Sequence, residues 1–475
     1  MKKNDIKNIA DKFIFDRRLF KILMIIAVML TAVPYLHTLI GGYIKIILLY
    51  GFLIVGYELV TGKFKTALRD KTGWLLIGFC VSYAVTVLIN LNGNFTGDIK
   101  NLAYSAVFFA LFFMFTEDNT KEDILKEIKL ISTVVIVCTF LMSFASFIMY
   151  MFSFSGSYLN NEGVAVFFGM FENRLWGLYN PNTGSTLNCI SIIISSIFIV
   201  DTNSRKTRVL NIINVVLQYM VLLLTGSRAA YYAVLIILAL LVVFAALQKM
   251  KTVSFLSISK SLASVVAVVC IFVFGGNILK AGLSYLPGIT SNVLYNISTI
   301  TGSSENQEPP VFEKTELDRI EEVENLDVGF FNGRTEIWGA CLKEFAKSPV
   351  FGIGKENVIE RSIDNLDDDK WKNHFRQGGT HNIYVCLLVS SGVVGFLIIG
   401  AFAVIILLKS FKVIVKKYNK INYWFLGATL LCIMFFVTEF VEARILFQVS
   451  TFSVIFWIYC GYMYKLAKFE DENNE

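Results

Sequence analysis

Residues 378–408 read GGTHNIYVCLLVSSGVVGFLIIGAFAVIILL, and this junction between a polar and an apolar stretch decides the fold. The apolar run, Ile383–Leu408, exceeds the roughly 20 residues that a helix needs to cross a bilayer. The polar part closes an insert that covers residues 276–380 and has further apolar runs before it. One of only three histidines, His381, lies at the boundary. The sequence therefore predicts a membrane protein with one large polar loop, where its chemistry takes place.

Composition supports the membrane class. Hydrophobic residues make up 55% of the 475 residues and charged residues 17%, and the mean hydropathy is +0.61. Soluble globular chains are about 45–50% apolar and about 25% charged, so these values exclude that class. The net charge of +6 does not indicate a nucleic-acid partner, because the basic residues follow a membrane pattern. Met1–Phe20 is too charged for a cleaved signal peptide and is interpreted as a cytoplasmic tail.

About twelve apolar runs are predicted to form transmembrane helices. Within a few residues they are Leu19–Leu36, Tyr43–Leu59, Trp74–Ile89, Ala103–Phe115, Ile131–Phe152, Gly184–Val200, Val209–Leu224, Ala229–Leu247, Leu262–Phe274, Ile383–Leu408, Tyr423–Phe440 and Ile445–Tyr464. The fold class is thus an all-α polytopic membrane protein.

The distribution of Lys and Arg orients these spans. With the N-terminus inside, the segments on the inner side are rich in basic residues: 63–71, 121–129, 205–208, 249–260 and 409–420. This positive-inside pattern predicts that both termini are cytoplasmic and that the large loop is extracytoplasmic. The predicted parts are an N-terminal bundle of about nine spans (1–275), the loop (276–380), a C-terminal bundle of about three spans (381–466) and a cytoplasmic tail (467–475).

The loop is predicted to contain short helices. Glu313–Asp327 is acidic with apolar residues at helical spacing, and Arg334–Ala346 is amphipathic and should lie on the membrane or cap the bundle. Thr301–Pro310 has linker composition. Phe351–Lys355 is predicted to be a tight, exposed turn, and its glycine spacing is wrong for a phosphate loop.

No metal or disulfide site is predicted. Seven of the eight cysteines lie in apolar runs and only Cys341 lies in the loop, so the loop cannot contain a disulfide. The acidic run Asp367–Asp369 falls in a charged turn and is expected to be solvated.

Four residues on the predicted outer face could carry chemistry. Arg228 and Arg334 could each grip phosphate oxygens bidentately, or could serve as head-group contacts at helix ends. His381 suits proton transfer near neutral pH, although an interfacial role fits as well. Arg174 precedes Asn180-Pro181-Asn182, a segment best interpreted as a capped helix start. Together these side chains would suit an anionic lipid head group.

The order of several short motifs resembles the O-antigen ligase and polymerase family of bacterial envelope proteins (the Wzy/WaaL-like group). The motifs are Thr225-Gly226-Ser227-Arg228, Asn332-Gly333-Arg334-Thr335, Gly352-Ile353-Gly354, Thr380-His381-Asn382 and Ser391-Gly392-Val393-Val394-Gly395. The resemblance covers about Trp176–Leu408.

The resemblance implies a metal-independent, cofactor-free membrane glycosyltransferase of the GT-C-like type in the bacterial cytoplasmic membrane. Its donor would be an oligosaccharide on undecaprenyl pyrophosphate. The resemblance also implies roles for three residues. Arg228 and Arg334 would hold the pyrophosphate, and His381 would act as general base on the acceptor hydroxyl. Further contacts to pyrophosphate or glycan would come from residues whose match to the family is looser: Arg174, Asn180, Asn182, Asn382, Glu439 and Arg444. Glu439 and Glu442 could orient an arginine.

The expected function is polymerisation of lipid-linked repeat units for capsule, O-antigen or another surface polysaccharide. Partners would be the lipid-linked donor and acceptor, membrane lipid, a chain-length regulator and a flippase, with no nucleic acid. A ligase that transfers the glycan to another acceptor is the first alternative. A polysaccharide transporter or flippase is the second, but it would need polar groups near the midplane of its spans, and the spans are predicted to be nearly free of them.

Overall fold

The computed structural model describes residues 15–116, 119–160, 163, 165–249, 255–300, 314–317, 334–417 and 420–472. The acidic helix predicted at Glu313–Asp327 and the linker Thr301–Pro310 lie largely or wholly outside these ranges. The described chain is mostly helical, and each of the twelve predicted spans overlaps a helix. The prediction of a helical polytopic membrane protein is therefore confirmed at this level.

The first half of the chain forms nine α-helices, a π-helix and a small sheet within the described ranges. The helices are α1 (Arg17–Thr31), α2 (Pro34–Thr61), α3 (Phe64–Ala67), α4 (Lys71–Ile89), α5 (Phe95–Phe108), which continues into the π-helix Phe109–Phe113, α6 (Lys121–Met151), α7 (Pro181–Asp201), α8 (Arg205–Thr225) and α9 (Arg228–Lys249). Helix ends follow local chemistry. Asp70, Thr120 and Asn180 cap α4, α6 and α7 by accepting backbone N–H groups, and Gly226 ends α8 in the left-handed conformation.

The second half of the chain has two long helices with several shorter helices between them, and two further helices follow at its C-terminal end. They are α10 (Phe255–Leu283), α11 (Leu286–Ile300), α12 (Arg334–Phe345), α13 (Val358–Ser362), α14 (Asp369–Gly378), α15 (Ile383–Lys417), α16 (Tyr423–Thr438) and α17 (Thr451–Glu472). Helix α10 continues eight residues past the predicted start of the loop at 276. Helix α14, capped by the exposed Asp368, was not anticipated.

Over the described residues, seven helical segments are long and apolar enough to cross a membrane. They are Pro34–Thr61, Lys71–Ile89, Lys121–Met151, Pro181–Asp201, Arg205–Thr225, Ser259–Thr299 and Ile383–Lys417. Two shorter apolar helices are Arg228–Phe244 and Tyr423–Thr438. The count of twelve spans and the loop orientation stay predictions.

Helix α15 is interrupted at Gly392, whose φ of 65° and ψ of −173° are not helical. Backbone groups of the loop supply the hydrogen bonds that the interrupted helix lacks. Val393 N–H donates to the Pro349 carbonyl (2.8 Å), and Gly354 N–H donates to the Ser390 carbonyl (3.0 Å). Buried backbone groups must find partners. The broken span and the loop therefore form one unit.

The turn predicted to be exposed at Phe351–Lys355 is instead packed into the bundle. Gly352, Ile353 and Gly354 are buried, and a methyl group on Gly354 would lie 2.2 Å from the Asp98 carboxylate. Glycine-rich sequence predicts a turn, but it gives no information about what packs against that turn, and so the predicted exposure was wrong.

A small antiparallel sheet, β1 (Gly156–Leu159), β2 (Ala165–Phe171) and β3 (Arg174–Gly177), follows α6. Its strands pair in the order β1-β2-β3, with an irregularity between Gly169 and Met170. The sheet was not predicted from the sequence. It places Arg174 beside the start of α7 and the end of α8.

The prediction that the spans are nearly free of polar groups is wrong for α6, α7 and α8. Thr139, Ser143, Ser191, Asn214 and Gln218 are fully or almost fully buried there. Asn214 Nδ2 donates to Ser191 Oγ (2.9 Å), Gln218 Nε2 donates to Asn214 Oδ1 (3.0 Å), and Ser143 Oγ donates to Gln218 Oε1 (2.8 Å). These uncharged groups bond to one another, as in helix–helix packing within membranes.

The two ends of the bundle differ in charge pattern. Ion pairs at one end join segments predicted to be cytoplasmic, namely Arg17–Glu58, Lys21–Glu127, Lys129–Asp201, Lys121–Glu470 and Lys468–Asp70. We call this the lysine-rich end. The segments predicted to be outside, including the turn after α8, the start of α15 and the connection between α16 and α17, contact one another at the opposite end.

Candidate functional site

His381 lies where the large loop enters α15, in an unusual backbone conformation with φ of 47°. The next residue, Asn382, caps α15, because its side-chain oxygen accepts the N–H groups of Tyr384 (2.9 Å) and Val385 (3.1 Å). The Ile383 N–H donates to the Glu439 carbonyl (3.0 Å). Strained conformations of this kind occur at functional sites when the surroundings fix them.

Glu442, in the connection between α16 and α17, joins the predicted catalytic residues. Its Oε2 lies 3.6 Å from His381 Nδ1, and its Oε1 lies 3.9 Å from Arg334 Nη2. Asn182 Nδ2 donates to the same Oε1 (3.2 Å). The side chains of Glu442, His381 and Arg334 are each less than one-fifth exposed. The structure therefore brings Arg334 and His381 together through a shared carboxylate.

Glu442 is a carboxylate at any physiological pH. Burial acts to raise its pKa, but the charge of Arg444, the neighbouring His381 and the charge of Arg334 outweigh burial and lower the pKa to about 2. His381 therefore has a permanent negative charge 3.6 Å from its Nδ1.

Arg174 extends this cluster toward the α8–α9 turn. Its Nε donates to the Thr225 carbonyl (2.8 Å), and its Nη2 lies 3.4 Å from Asn182 Oδ1. The side chain also passes over Gly226, where an added methyl group would lie 3.6 Å from its Cγ. Asn182 thus contacts both Arg174 and Glu442.

Glu439 and Arg444 form a separate buried pair beside the cluster. The Glu439 carboxylate accepts from the backbone N–H of Arg444 and from its Nε (3.1 Å). The guanidinium also donates to Thr186 Oγ1 (3.2 Å) and lies 4.1 Å from the centre of the Phe452 ring. These contacts fix the α16–α17 connection that presents Glu442.

The second nitrogen of His381, Nε2, packs directly against Gly378. A methyl group on Gly378 would lie 2.1 Å from Nε2, which is closer than any carbon can approach. Nε2 is buried and has no hydrogen-bond partner among the described residues. His374, exposed on α14, stacks on the imidazole with ring centres 5.3 Å apart.

The other predicted site residues lie at helix starts. Arg228 is exposed at the first residue of α9, where the helix N-terminus favours an anion. Asn180 is an exposed N-cap whose side chain accepts from Asn182 N–H (2.9 Å). Asn180 and Asn382 therefore have capping roles in this structure, consistent with the structural interpretation of the Asn-Pro-Asn segment.

Residues 213–400 match the family model described as O-antigen ligase. This stretch is similar to O-antigen ligases. The resemblance to the O-antigen ligase and polymerase family is thereby confirmed. Members of this family are membrane glycosyltransferase-like enzymes that act on lipid-linked glycans. A comparison with curated proteins gives no match.

The matched stretch, residues 213–400, contains Arg228, Arg334 and His381, but Glu442 lies outside it. Glu442 was predicted only as a partner for an arginine, and its contact with His381 was missed. A signal was available, since Glu442 and Arg444 lie in one of the few short connections on the predicted outer face. Gly378 and His374 were not recognised, because their contacts with His381 depend on the orientation of α14.

The arrangement can take a proton and bind an anion. Nδ1 of His381 lies 3.6 Å from the Glu442 carboxylate, and neither ring nitrogen has a hydrogen-bond partner among the described residues. Arg334 supplies positive charge on the other side of the same carboxylate. Over the described ranges, no three His, Cys, Asp or Glu side chains are grouped to hold a metal ion.

Proposed function

We propose that this protein polymerises undecaprenyl-pyrophosphate-linked repeat units at the outer face of the bacterial cytoplasmic membrane. The observation that carries the proposal is the shared contact of His381 and Arg334 with Glu442. This contact combines a base and a phosphate-binding group at the end of the large loop.

In the proposed reaction, the imidazole of His381 removes the proton from an acceptor sugar hydroxyl. The hydroxyl oxygen then bonds to the anomeric carbon of the donor, and the bond from that carbon to the pyrophosphate oxygen breaks. The pyrophosphate leaves with the electron pair, while Glu442 stabilises the imidazolium that forms.

The arginines supply charge to the leaving group. Arg334 neighbours the base, and Arg228 adds a guanidinium to the N-terminus of α9. Arg174 acts through Asn182 and the Thr225 carbonyl, so it positions Glu442 and the α8–α9 turn. No step requires a metal ion or a cofactor.

Reconstitution with one defined lipid-linked repeat unit tests this proposal. We expect a ladder of longer lipid-linked glycans in the presence of EDTA, and its loss in Arg334→Ala and His381→Ala, with a fall in rate of at least roughly 10²-fold. Arg205→Ala is the matched control, since Arg205 is an exposed arginine at the lysine-rich end. Gel separation of the glycans gives the readout.

The same assay separates the alternatives. A product attached once to a different acceptor, with unchanged chain length, would favour a ligase. Movement of intact lipid-linked glycan without bond formation would favour a transporter. Normal ladders from both well-expressed variants would refute the catalytic assignment, and restoration of activity by magnesium after EDTA treatment would refute metal independence.

A further inference from the structure

Three aromatic side chains form a cluster on the small sheet beside the candidate site. Phe167 and Phe171 of β2 stack with their ring centres 3.6 Å apart. Trp176 of β3 lies edge-on to both, with its ring centre 5.5 Å from that of Phe167 and 5.7 Å from that of Phe171. Each of the three side chains is half-buried. We call this group the aromatic platform.

The aromatic platform lies on the face of the sheet that is turned away from the bundle. Neighbouring residues of a strand point to opposite faces. Leu175 is 1% exposed and belongs to the same buried cluster as Tyr150 of α6, so Arg174 and Trp176 on either side of it point the other way. None of the three platform rings belongs to a buried core cluster in the described part of the chain.

The sheet that carries the aromatic platform is fixed on α6. A side chain at Gly177 would overlap Ser146 of α6, and the Leu178 N–H donates to the Ser146 hydroxyl (3.2 Å). A side chain at Gly169 would overlap the Phe154 carbonyl. These close approaches hold the backbone in place. A surface that is ordered before its ligand arrives loses little conformational entropy on binding.

The aromatic platform is continuous with the candidate site through Arg174. This residue lies two positions before Trp176 on the same face of β3, which is a separation of roughly 7 Å along a strand. Arg174 Nη2 lies 3.4 Å from Asn182 Oδ1, and Asn182 Nδ2 donates to Glu442 (3.2 Å). A ligand several sugars long that is held at Glu442 can therefore reach the platform.

One polar group of the platform lacks a partner. The indole N–H of Trp176 is buried and has no hydrogen-bond partner among the described residues. Buried indole N–H groups usually find an acceptor, and an aromatic ring is only a weak one. A hydroxyl group of a ligand seated among these rings would supply a stronger acceptor.

We infer that the aromatic platform binds a sugar ring of the lipid-linked glycan. The inference rests on the proposed function, which makes that glycan the substrate. The C–H groups on one face of a hexose ring pack on aromatic rings, and its hydroxyls form hydrogen bonds with groups such as an indole N–H. The platform would thus hold the glycan at a fixed distance from the reacting groups.

Contact with the membrane is the competing role for aromatic side chains near this face. Phe152 and Phe154, at the end of α6, fit that role better, because they are 49% and 60% exposed. The platform rings are half-buried against one another. An acyl chain would also bring no acceptor for the indole N–H of Trp176.

Thermal unfolding of the full-length protein in a neutral detergent tests the platform. The probe is the free oligosaccharide that mild acid releases from the lipid-linked repeat unit. Because a ligand of the native state raises Tm, we expect a saturable rise for the wild type. Binding should be roughly tenfold weaker in Trp176→Leu, and Phe171→Leu should change it in the same direction. Phe152→Leu is the matched control and should bind like the wild type.

The outcomes separate this inference from the proposed function. A glycan ladder from the wild type, with equal oligosaccharide binding by Trp176→Leu and Phe152→Leu, would retain polymerisation and overturn the platform. Binding that depends on Trp176 in a protein that makes no ladder would support the platform and refute polymerisation.

Two further results would overturn the inference. One is a wild-type protein whose Tm does not respond to the oligosaccharide. The other is a rise in Tm that depends on Trp176 when phosphatidylcholine is added but not when the oligosaccharide is added, which would assign the rings to membrane contact. Phe171→Leu is decisive if Trp176→Leu does not fold.

Discussion

At the scale of single residues, two ring nitrogens of one histidine have different surroundings. Nδ1 of His381 lies 3.6 Å from the Glu442 carboxylate, whereas Nε2 packs directly against Gly378. The present orientation of the imidazole therefore requires that residue 378 has no side chain.

Gly378→Ala should reduce catalysis without unfolding the protein. The new methyl group would lie 2.1 Å from Nε2, so the imidazole must turn away from its present position. We expect a fall in polymerisation rate of roughly 10²-fold, measured in proteoliposomes. Gly339→Ala is the matched control, because Gly339 lies in helix α12 with no atom within 4 Å of the added carbon. Equal rates in the two variants would show that the present orientation of the imidazole does not matter for catalysis.

The low pKa of Glu442 predicts a specific acid dependence of stability. A carboxyl group whose pKa falls from 4.5 to about 2 on folding stabilises the protein above the unfolded value, and this stabilisation is lost as pH falls from about 4.5 toward 2. Glu442→Gln should lower Tm near neutral pH and remove this part of the acid decline. Melting in detergent between pH 6 and pH 3 provides the measurement, and parallel curves for the two proteins would count against the prediction.

At the scale of elements, a buried carboxylate lies at the centre of the contacts that attach the loop to the N-terminal bundle. Asp98 in α5 accepts from Tyr83 Oη (2.6 Å), from the Glu356 backbone N–H (3.1 Å) and from Asn357 Nδ2 (3.1 Å). Backbone hydrogen bonds between the loop and α15 at Gly392 lie nearby and add to this attachment. The loop segment after α12 is thus held by α4, α5 and α15 together.

Gly354→Ala should weaken the attachment of the loop to the N-terminal bundle at Asp98. Its φ of 82° disfavours alanine, and the methyl group would also lie 2.2 Å from the Asp98 carboxylate. Gly62→Ala shares the backbone penalty, with φ of 77°, but its methyl group meets no atom within 4 Å. We expect about 1 kcal/mol of destabilisation for Gly62→Ala and more than about 2 kcal/mol for Gly354→Ala.

Limited proteolysis of the loop and Tm in detergent compare these two glycine variants. Faster cleavage of the loop in Gly354→Ala than in Gly62→Ala is the expected result. Identical cleavage rates would show that the contact at Asp98 does not hold the loop.

Elements with a strong periodic pattern could be predicted from the sequence, whereas short polar ones could not. The spacing of Ile337, Cys341 and Phe345 predicted α12, and the structure buries Ile337 and Cys341 against α13, α14 and α15. The sheet at Gly156–Gly177 and helix α14 have too little apolar periodicity for that inference. Packing of the segment around Gly354 depends on Asp98, which lies far away in the sequence.

At the scale of the whole molecule, the two ends of the structure differ in charge. The same uneven distribution of Lys and Arg predicts the orientation of the spans. Intersegment ion pairs such as Lys21–Glu127 lie at one end, and the cluster around Glu442 lies at the other. Which end faces the cytoplasm is a prediction from the positive-inside pattern.

Reporter fusions test the orientation. Alkaline phosphatase, which is active only outside the cytoplasm, should be active when fused after Gly163 and inactive when fused after Ser204. A green fluorescent protein fused at the same positions should give the reverse pattern. Phosphatase activity after Ser204 would invert the topology and move the proposed reaction to the cytoplasmic face.

Part of the candidate site could be predicted from the sequence, and there is a physical reason why the rest could not. Arg334 and His381 belong to short motifs with recognisable order, but their distance in space depends on Glu442, which lies about sixty residues beyond His381 in the chain. The polar contacts among α6, α7 and α8 were missed because hydropathy averages over single Ser, Thr, Asn and Gln residues. Pairing between helices is not encoded in such averages.

The position of Glu442 has a consequence for exchanging parts between related enzymes. A chimera that receives only residues 213–400 from a relative takes Arg228, Arg334 and His381 from one parent. Glu442, Asn182 and Arg174 come from the other parent. We therefore expect the contacts around Glu442 to be kept only when the α16–α17 connection and the segment from β3 to the start of α7 are exchanged along with this stretch.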